Sequence, residues 1–240
     1  MSAARKKPTT PAKKTVTAPA QPARKRVLVI DDHPMTRAGV VHLLSKQADL
    51  EICGEAGAPA EALAAIPNLK PDLVITDMTM PGRSGIEFLK DTLALYPQLA
   101  ILVVSMHDEL IYAERALRAG AKGYIMKQAG GEKLLAAIRR VLAGQISVSE
   151  EMSSKILQNI SGGGSRGSHS PIEKLSDREF EVFQLIGGGK STREIASQLH
   201  LSPKTVDVHR GHIKEKLELT DATALVRYAV RWIETQDTST

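Results

Sequence analysis

Hydrophobic positions between residues 26 and 144 recur in two alternating patterns. Five short apolar runs, RVLVIDD, LEICGEA, DLVIT, AILVVS and GYIMK, predict strands. Each is followed by a segment with helical spacing: PMTRAGVVHLLSKQ, PAEALAAI, GIEFLKDTLAL, ELIYAERALRAG and GEKLLAAIRRVLAG. Several strands are apolar throughout, as expected when helices cover both faces of a parallel sheet. Residues 26–148 are therefore predicted to form an α/β domain, a doubly wound (βα)5 unit with strand order 2-1-3-4-5.

The pattern changes after this domain. Residues 149–170 end in NISGGGSRGSHS, a Gly/Ser-rich stretch without apolar periodicity, and are predicted to be a flexible linker. Four short helical segments follow over residues 171–236. Their starts share an N-cap residue, at Ser176, Ser191, Ser202 and Thr220 with Asp221. The second and third segments, STREIASQLH and SPKTVDVHRGHIKEKL, are joined by a few residues around Leu201, which predicts a helix-turn-helix in a small all-α domain.

Basic residues are concentrated at the N-terminus. The chain of 240 residues has a formal charge of +5, but residues 1–26 carry eight basic side chains and no acid. The remaining 24 basic and 27 acidic side chains leave the rest of the chain at −3. Residues 1–25, rich in Pro, Ala, Thr and Lys, are predicted to be a disordered basic tail. The tail is either a solvated extension or a weak attractant for DNA. The overall charge is thus poor evidence for a DNA-binding fold.

The cysteine and hydropathy content indicates a cytoplasmic protein. The single Cys53 excludes an intramolecular disulfide and is consistent with a reducing compartment. The chain has no apolar stretch of the roughly 18 residues that a membrane span needs and no signal-peptide pattern in its first residues. Neither a membrane location nor export is expected.

Polar residues follow the strands at one predicted edge of the sheet. Asp31 and Asp32 come after the first strand, Asp77 after the third, Ser105 at the end of the fourth and Lys127 after the fifth. Ligands of doubly wound sheets bind beyond the carboxyl ends of the strands. Converging carboxylates can hold a divalent cation, and a hydroxyl and an ammonium can bind the oxygens of a phosphoryl group. The sequence therefore predicts a phosphorylatable carboxylate beside a metal ion.

These motifs resemble those of a known family. The motifs VLVIDDHPMTRAG, VITDMTMPGRSGIE, VVSMHD and AKGYIMK are similar to the receiver domain of bacterial two-component response regulators. LSDREFEVFQLIGGGKSTREIASQLHLSPKTVDVHRGHIKEKL resembles the helix-turn-helix output domain of the NarL/FixJ (LuxR-type) subfamily. The resemblance covers roughly residues 26 to 233 and implies a phosphorylation-regulated transcription factor that is not an enzyme.

The resemblance implies roles for the polar cluster. Asp77 would accept a phosphoryl group from a sensor histidine kinase. Mg²⁺ would be held by Asp32, Asp77 and the backbone carbonyl of Thr79, with Asp31 acting through water.

Lys127 and Ser105 would bind the phosphoryl oxygens. Ser105 moving inward would leave space for Tyr124 to enter as a switch, whereas a half-buried packing role is the alternative for Tyr124. The side chains of Thr79 and His107 are expected at the mouth of the site, where they would tune the access of water.

The third helix of the second domain has two faces. Val206, Ile213 and Leu217 are expected to pack on Ile195, Ala196 and Leu199. The opposite face is predicted to enter the major groove of double-stranded DNA, with contacts from Lys204, Thr205, Asp207, Val208, Arg210, Gly211 and Lys214. Family members often have a basic residue at the position of Asp207 and sometimes another at Gly211. Asp207 would either accept from cytosine N4 or reject other sequences, so the base contacts stay open.

Further expectations concern partners and rivals. Surplus apolar residues in TDATALVRYAVRWI indicate either a homodimer surface or ordinary packing. RNA polymerase is a further candidate partner. The receiver is hypothesised to mask the recognition helix before phosphorylation.

Two alternative functions stay open. One is a phosphatase with an aspartyl-phosphate intermediate, but such enzymes have an acid where this chain has Thr79. The other is a constitutive DNA-binding architectural protein whose receiver mediates assembly.

Overall fold

The first domain is built on one parallel sheet. The computed structural model describes residues 23–80, 85–160 and 171–237, so most of the predicted tail lies outside the described residues. The strands are Lys25–Ile30 (β1), Leu50–Ala56 (β2), Leu73–Thr76 (β3), Ala100–Ser105 (β4) and Gly123–Met126 (β5). Their order is β2-β1-β3-β4-β5, and every neighbouring pair is parallel. The predicted doubly wound topology is confirmed.

Helices cover both faces of this sheet. They are Pro34–Ser45 (α1), Pro59–Leu69 (α2), Gly85–Leu95 (α3), Glu109–Arg118 (α4) and Gly131–Leu142 (α5). Alternate strand residues face opposite layers: Leu28 and Val103 share a core with α2, α3 and α4, whereas Val27 and Leu102 share one with α1 and α5. Both faces of the sheet are therefore buried, which explains the continuous apolar runs in the sequence.

Part of the predicted flexible linker is a helix, and the prediction was wrong there. Glu150–Ile160 forms α6. Met152 is buried, and its amide donates to Ser149 Oγ at 3.1 Å. Lys155 Nζ donates to the carbonyl of Leu110 on α4 at 3.0 Å. The apolar residues of this short helix gain burial through tertiary packing, including contact with α4, so composition alone did not reveal it. Residues 161–170, with most of the Gly/Ser-rich stretch, lie outside the described residues.

The second domain has the predicted helices. A 3₁₀ turn over Pro171–Lys174 precedes Asp177–Gly187 (α7), Thr192–Gln198 (α8), Pro203–Lys216 (α9) and Ala222–Asp237 (α10). Complete capping boxes form at Ser176 with Glu179 and at Ser191 with Glu194. The Ser202 side chain accepts from the Thr205 amide, and the Asp221 side chain accepts from the Ala224 amide. The start signals in the sequence are confirmed, and α8 and α9 form the helix-turn-helix.

Aromatic and ionic contacts hold α9 and α10 against α7. The buried Phe183 ring lies 6.0 Å from the ring of Tyr228 and 5.6 Å from that of Trp232, the only tryptophan of the chain. Lys216 Nζ on α9 donates to the buried Glu179 carboxylate on α7 at 2.6 Å. Burial by itself would raise the pKa of Glu179, but the hydrogen bonds from Lys216 and Ser176 outweigh it and lower that pKa. Glu179 is thus an anion that fixes the position of α9.

Candidate functional site

The strand register brings the predicted polar residues to one edge of the sheet. Ile30 of β1 pairs with Thr76 of β3, and the Asp77 amide donates to the Ile30 carbonyl at 3.1 Å. Asp31 and Asp77 therefore leave neighbouring strands side by side. Lys127 follows β5 and reaches back over this edge to both carboxylates. Residues separated by up to about a hundred positions in the chain meet because parallel strands end together.

Asp77 is a buried carboxylate whose oxygens have defined partners. The residue is 4% exposed. Its Oδ1 accepts hydrogen bonds from the amides of Met78 at 2.6 Å and Thr79 at 3.3 Å, and its Oδ2 lies 2.7 Å from Lys127 Nζ. These donors fix the orientation of the carboxylate.

Lys127 bridges two carboxylates. Its Nζ lies 2.7 Å from Asp31 Oδ2 and 2.7 Å from Asp77 Oδ2. Partial burial would lower the pKa of Lys127, but the hydrogen bonds with Asp31 and Asp77 outweigh it and raise that pKa. The ammonium is therefore charged at neutral pH, in position for the oxygens of a group attached to Asp77.

Four residues can offer ligands to one cation. Single ligand atoms of Asp31, Asp32, His33 and Asp77 all lie within 4.8 Å of one another. Oδ1 of Asp32 is buried and accepts no hydrogen bond from any described residue, although Nδ1 of His33 lies 2.9 Å away as an ion-pair contact. A buried carboxylate oxygen without a donor fits a site for an oxygen-preferring divalent cation.

His33 was not singled out from the sequence. It directly follows Asp31 and Asp32, and that proximity was the only available signal. Its amide donates to Asp31 Oδ1 at 2.8 Å, so His33 also shapes the loop.

Ser105, Thr79 and Tyr124 converge on His107. The His107 amide donates to Ser105 Oγ at 3.2 Å, its carbonyl accepts from the Tyr124 hydroxyl at 2.9 Å, and its Nε2 lies 2.6 Å from Thr79 Oγ1. Burial raises the pKa of Tyr124, although a hydrogen bond with Ser105 opposes the rise. The Tyr124 ring was predicted to move into the space left by Ser105 after phosphorylation of Asp77. In this structure the ring is already buried.

The predicted DNA-facing side of α9 is open. Val206 and Ile213 are fully buried against α8, as predicted, together with Ile195 and Ala196. Val208 is 49% exposed on the opposite side, where Lys204 and Asp207 are also exposed. The hypothesis that the receiver masks this face does not hold in this arrangement.

The remaining predicted DNA contacts are less exposed. Thr205, Arg210, Gly211 and Lys214 are partly buried. The Thr205 hydroxyl lies 2.8 Å from Ser202 Oγ in the helix cap, and Arg210 Nη1 donates to Thr192 Oγ1 at 3.4 Å. His209, on the same helix, has a buried Nδ1 without a hydrogen-bond partner among the described residues.

Comparison with known proteins accounts for both domains. Residues 27–139 match the response regulator receiver domain, and residues 173–229 match the bacterial regulatory proteins of the luxR family. The chain is 35% identical over 210 residues to the oxygen regulatory protein NreC of Staphylococcus carnosus, covering 86% of this chain and 97% of NreC. This chain belongs to the NarL/FixJ family of response regulators.

Other members of the family match most of this chain. The response regulator GacA of Pseudomonas viridiflava is 35% identical over 206 residues, covering 86% of this chain and 95% of GacA. The structure is similar to that of RcsB from Salmonella enterica serovar Typhimurium bound to promoter rprA in the presence of phosphomimetic BeF3−. The TM-score is 0.66 at 27% identity, with 87% of this chain and 99% of RcsB covered.

Family membership assigns the two parts of the response regulator. The sheet and α1 to α5 are its receiver domain, and α7 to α10 are its LuxR-type DNA-binding domain. Among the residues with described coordinates, no helix combines the length and the apolar character needed to cross a membrane.

Proposed function

We propose that Asp77 is the phosphoryl acceptor of this response regulator and that a sensor histidine kinase is the donor. The observation that carries the proposal is the bridge from Lys127 Nζ to Asp31 and Asp77, at 2.7 Å each, beside the buried Oδ1 of Asp32. In the transfer, a bond forms between an Asp77 carboxylate oxygen and phosphorus while the P–N bond of the phosphohistidine breaks. An aspartate nucleophile needs no general base beside it for such a transfer.

Charge neutralisation is the main task of the site. Asp32, Asp77 and the backbone carbonyl of Thr79 would hold Mg²⁺, with Asp31 acting through water. When bound, the ion would offset the charge of the carboxylates and of the incoming phosphoryl group. Lys127 stays protonated and donates to the phosphoryl oxygens, and Ser105 turns its hydroxyl towards the same group. No acid lies at Thr79 to promote hydrolysis, so we propose a single transfer rather than multiple turnover by a phosphatase.

The proposed output is regulated binding to promoter DNA in the cytoplasm. Phosphorylation would favour a homodimer, in which two α9 helices read half-sites one helical turn apart. Exposed Val226 on α10 is available for such a contact, while Leu225 and Ala229 are buried in the domain core. RNA polymerase remains a candidate partner at the promoter. The basic N-terminal tail would add nonspecific attraction to DNA.

Phosphorylation is expected to tighten DNA binding by about tenfold, within the usual range of coupling between two sites. Sites would first be selected from a random-sequence DNA pool. The affinity for a selected site would then be measured with and without a small phosphodonor and Mg²⁺. The wild type and Glu132→Ala, which removes an exposed acid on α5, should respond. The DNA affinity of Asp77→Ala should not change. Equal wild-type affinity with and without the phosphodonor would refute the proposal.

Lys204→Ala is expected to weaken binding to selected and unrelated DNA by similar factors. Lys204 is exposed at the N-terminal end of α9, and we assign it a contact with a phosphate rather than with a base. Losing one phosphate contact should reduce the slope of log affinity against log salt by about 0.9. Titrations at several salt concentrations measure the slope, with Lys46→Ala on the receiver as the control. A loss confined to the selected site would instead assign Lys204 to base recognition.

A further inference from the structure

The guanidinium of Arg37 connects two loops beside the acidic cluster of Asp31, Asp32 and Asp77. Arg37 lies near the start of α1, and its side chain is 21% exposed. Its Nη1 donates to the backbone carbonyl of Asp31, and its Nε donates to the Glu55 carboxylate on β2 at 3.2 Å. A planar guanidinium can hold a carbonyl and a carboxylate at once. Arg37 therefore ties the end of β2 to the loop that carries Asp31 and Asp32.

This contact fixes the peptide group between the two neighbouring acids. The Asp31 amide donates to the carbonyl of Ala56 on β2 at 3.2 Å, and the Asp31 carbonyl accepts from Arg37. That carbonyl lies in the same rigid plane as the Asp32 amide. Because both ends of Asp31 are held, the plane cannot rotate freely. The direction in which the Asp32 side chain leaves the backbone is thus set by the hydrogen bond from Arg37.

Folding stability alone gives little reason for this arrangement. The Glu55 side chain is 47% exposed, and an ion pair with so accessible a partner contributes little to stability. The positive charge of Arg37 also opposes metal binding, since it repels a cation that approaches the acidic cluster. A net gain for the metal site therefore requires that the hydrogen bond to the Asp31 carbonyl outweighs this repulsion.

We propose that Arg37 is a positioning residue for the metal site, and that it holds the Asp31–Asp32 peptide in the orientation that points Asp32 at the cation. The inference rests on the proposed binding of Mg²⁺ by Asp32 and Asp77 and adds a residue outside the ligand set. A guanidinium has no acceptor atom to offer a metal ion, so Arg37 acts through the backbone. Partners that orient ligands in this way typically change metal affinity by about 10- to 100-fold.

The test measures the affinity of the full chain for Mn²⁺, a probe of the Mg²⁺ site whose free form is quantified by electron paramagnetic resonance. Arg37→Met keeps much of the side-chain stem without its donors, and its dissociation constant for Mn²⁺ should rise by about tenfold. Loss of a repulsive charge alone would lower that constant, so the sign of the change separates positioning from electrostatics. Arg37→Lys keeps a charged donor for the carbonyl and should recover most of the affinity. Arg37→Gln replaces Arg37→Met if the latter fails to fold.

Arg26→Met is the matched control, because Arg26 makes the same kinds of contact at the opposite edge of the sheet. Its Nε donates to the Leu69 carbonyl at 3.0 Å, and its Nη1 pairs with Glu51 of β2 at 3.3 Å. Urea unfolding followed by circular dichroism should show similar, small losses of stability in Arg26→Met and Arg37→Met. The affinity for Mn²⁺ should fall only in Arg37→Met.

Three results would overturn the inference. The first is unchanged or tighter Mn²⁺ binding by Arg37→Met. The others are equal weakening in Arg26→Met and no recovery in Arg37→Lys, since both indicate general damage to the receiver. Wild-type Mn²⁺ binding that Asp77→Ala leaves unchanged would instead refute the proposed metal site, and the inference with it.

Discussion

Lys127→Met is expected to slow phosphorylation of Asp77 by a small-molecule donor about 10²- to 10³-fold, the usual cost of removing one preorganised donor. Lys127 Nζ lies 2.7 Å from Asp77 Oδ2, so the ammonium is in place before the phosphoryl group arrives. Methionine keeps much of the length of the side chain without its charge. The measurement is the rate of phosphoprotein formation at saturating Mg²⁺, with Lys122→Met as the control because Lys122 is exposed before β5.

The same substitution should have the opposite effect on the affinity for Mg²⁺. Removing the ammonium leaves Asp31 and Asp77 with an uncompensated repulsion that a cation relieves. Tighter Mg²⁺ binding together with slower transfer would separate the role of Lys127 in transfer from simple damage to the site. A Lys127→Met protein that is phosphorylated at the wild-type rate would assign Lys127 a purely structural role.

Phe183→Ala is expected to destabilise the DNA-binding domain by about 3–5 kcal/mol. The Phe183 side chain is completely buried, and its ring packs against those of Tyr228 and Trp232. A domain this small lies near the lower end of the usual stability of about 5–15 kcal/mol, so this loss would remove most of its free energy of unfolding. DNA binding should disappear while Asp77 remains phosphorylatable.

Urea unfolding followed by the fluorescence of Trp232 measures this loss, since Trp232 is the only tryptophan and lies in the affected core. Thr223→Ala, at an exposed position of α10, should change stability by no more than about 0.5 kcal/mol. Loss of phosphorylation together with DNA binding would show that the receiver depends on this core.

The sequence by itself determined the elements, the sheet order and the position of the site. Continuous apolar strands followed by amphipathic helices leave few topologies, because parallel crossovers are right-handed and short. Asp31, Asp77 and Lys127 could be placed together since all follow strands of one parallel sheet. The helix starts at Ser176 and Ser191 could also be predicted from the sequence. The hydrogen bonds of a capping box form within four consecutive residues, so the signal is local.

Only the tertiary structure decided how the two domains meet. Helix α6 forms where composition predicted a flexible segment, since its apolar residues gain burial only through tertiary packing, α4 being one of its neighbours. The outer face of α9 is exposed because the receiver instead packs against α7 through Arg115 and Tyr112. Such contacts join residues some 60 or more positions apart and depend on side-chain direction, which no local pattern encodes. His107 lies in a loop that gave no periodic signal, and its contacts with Thr79 and Tyr112 are set by the folding of the receiver.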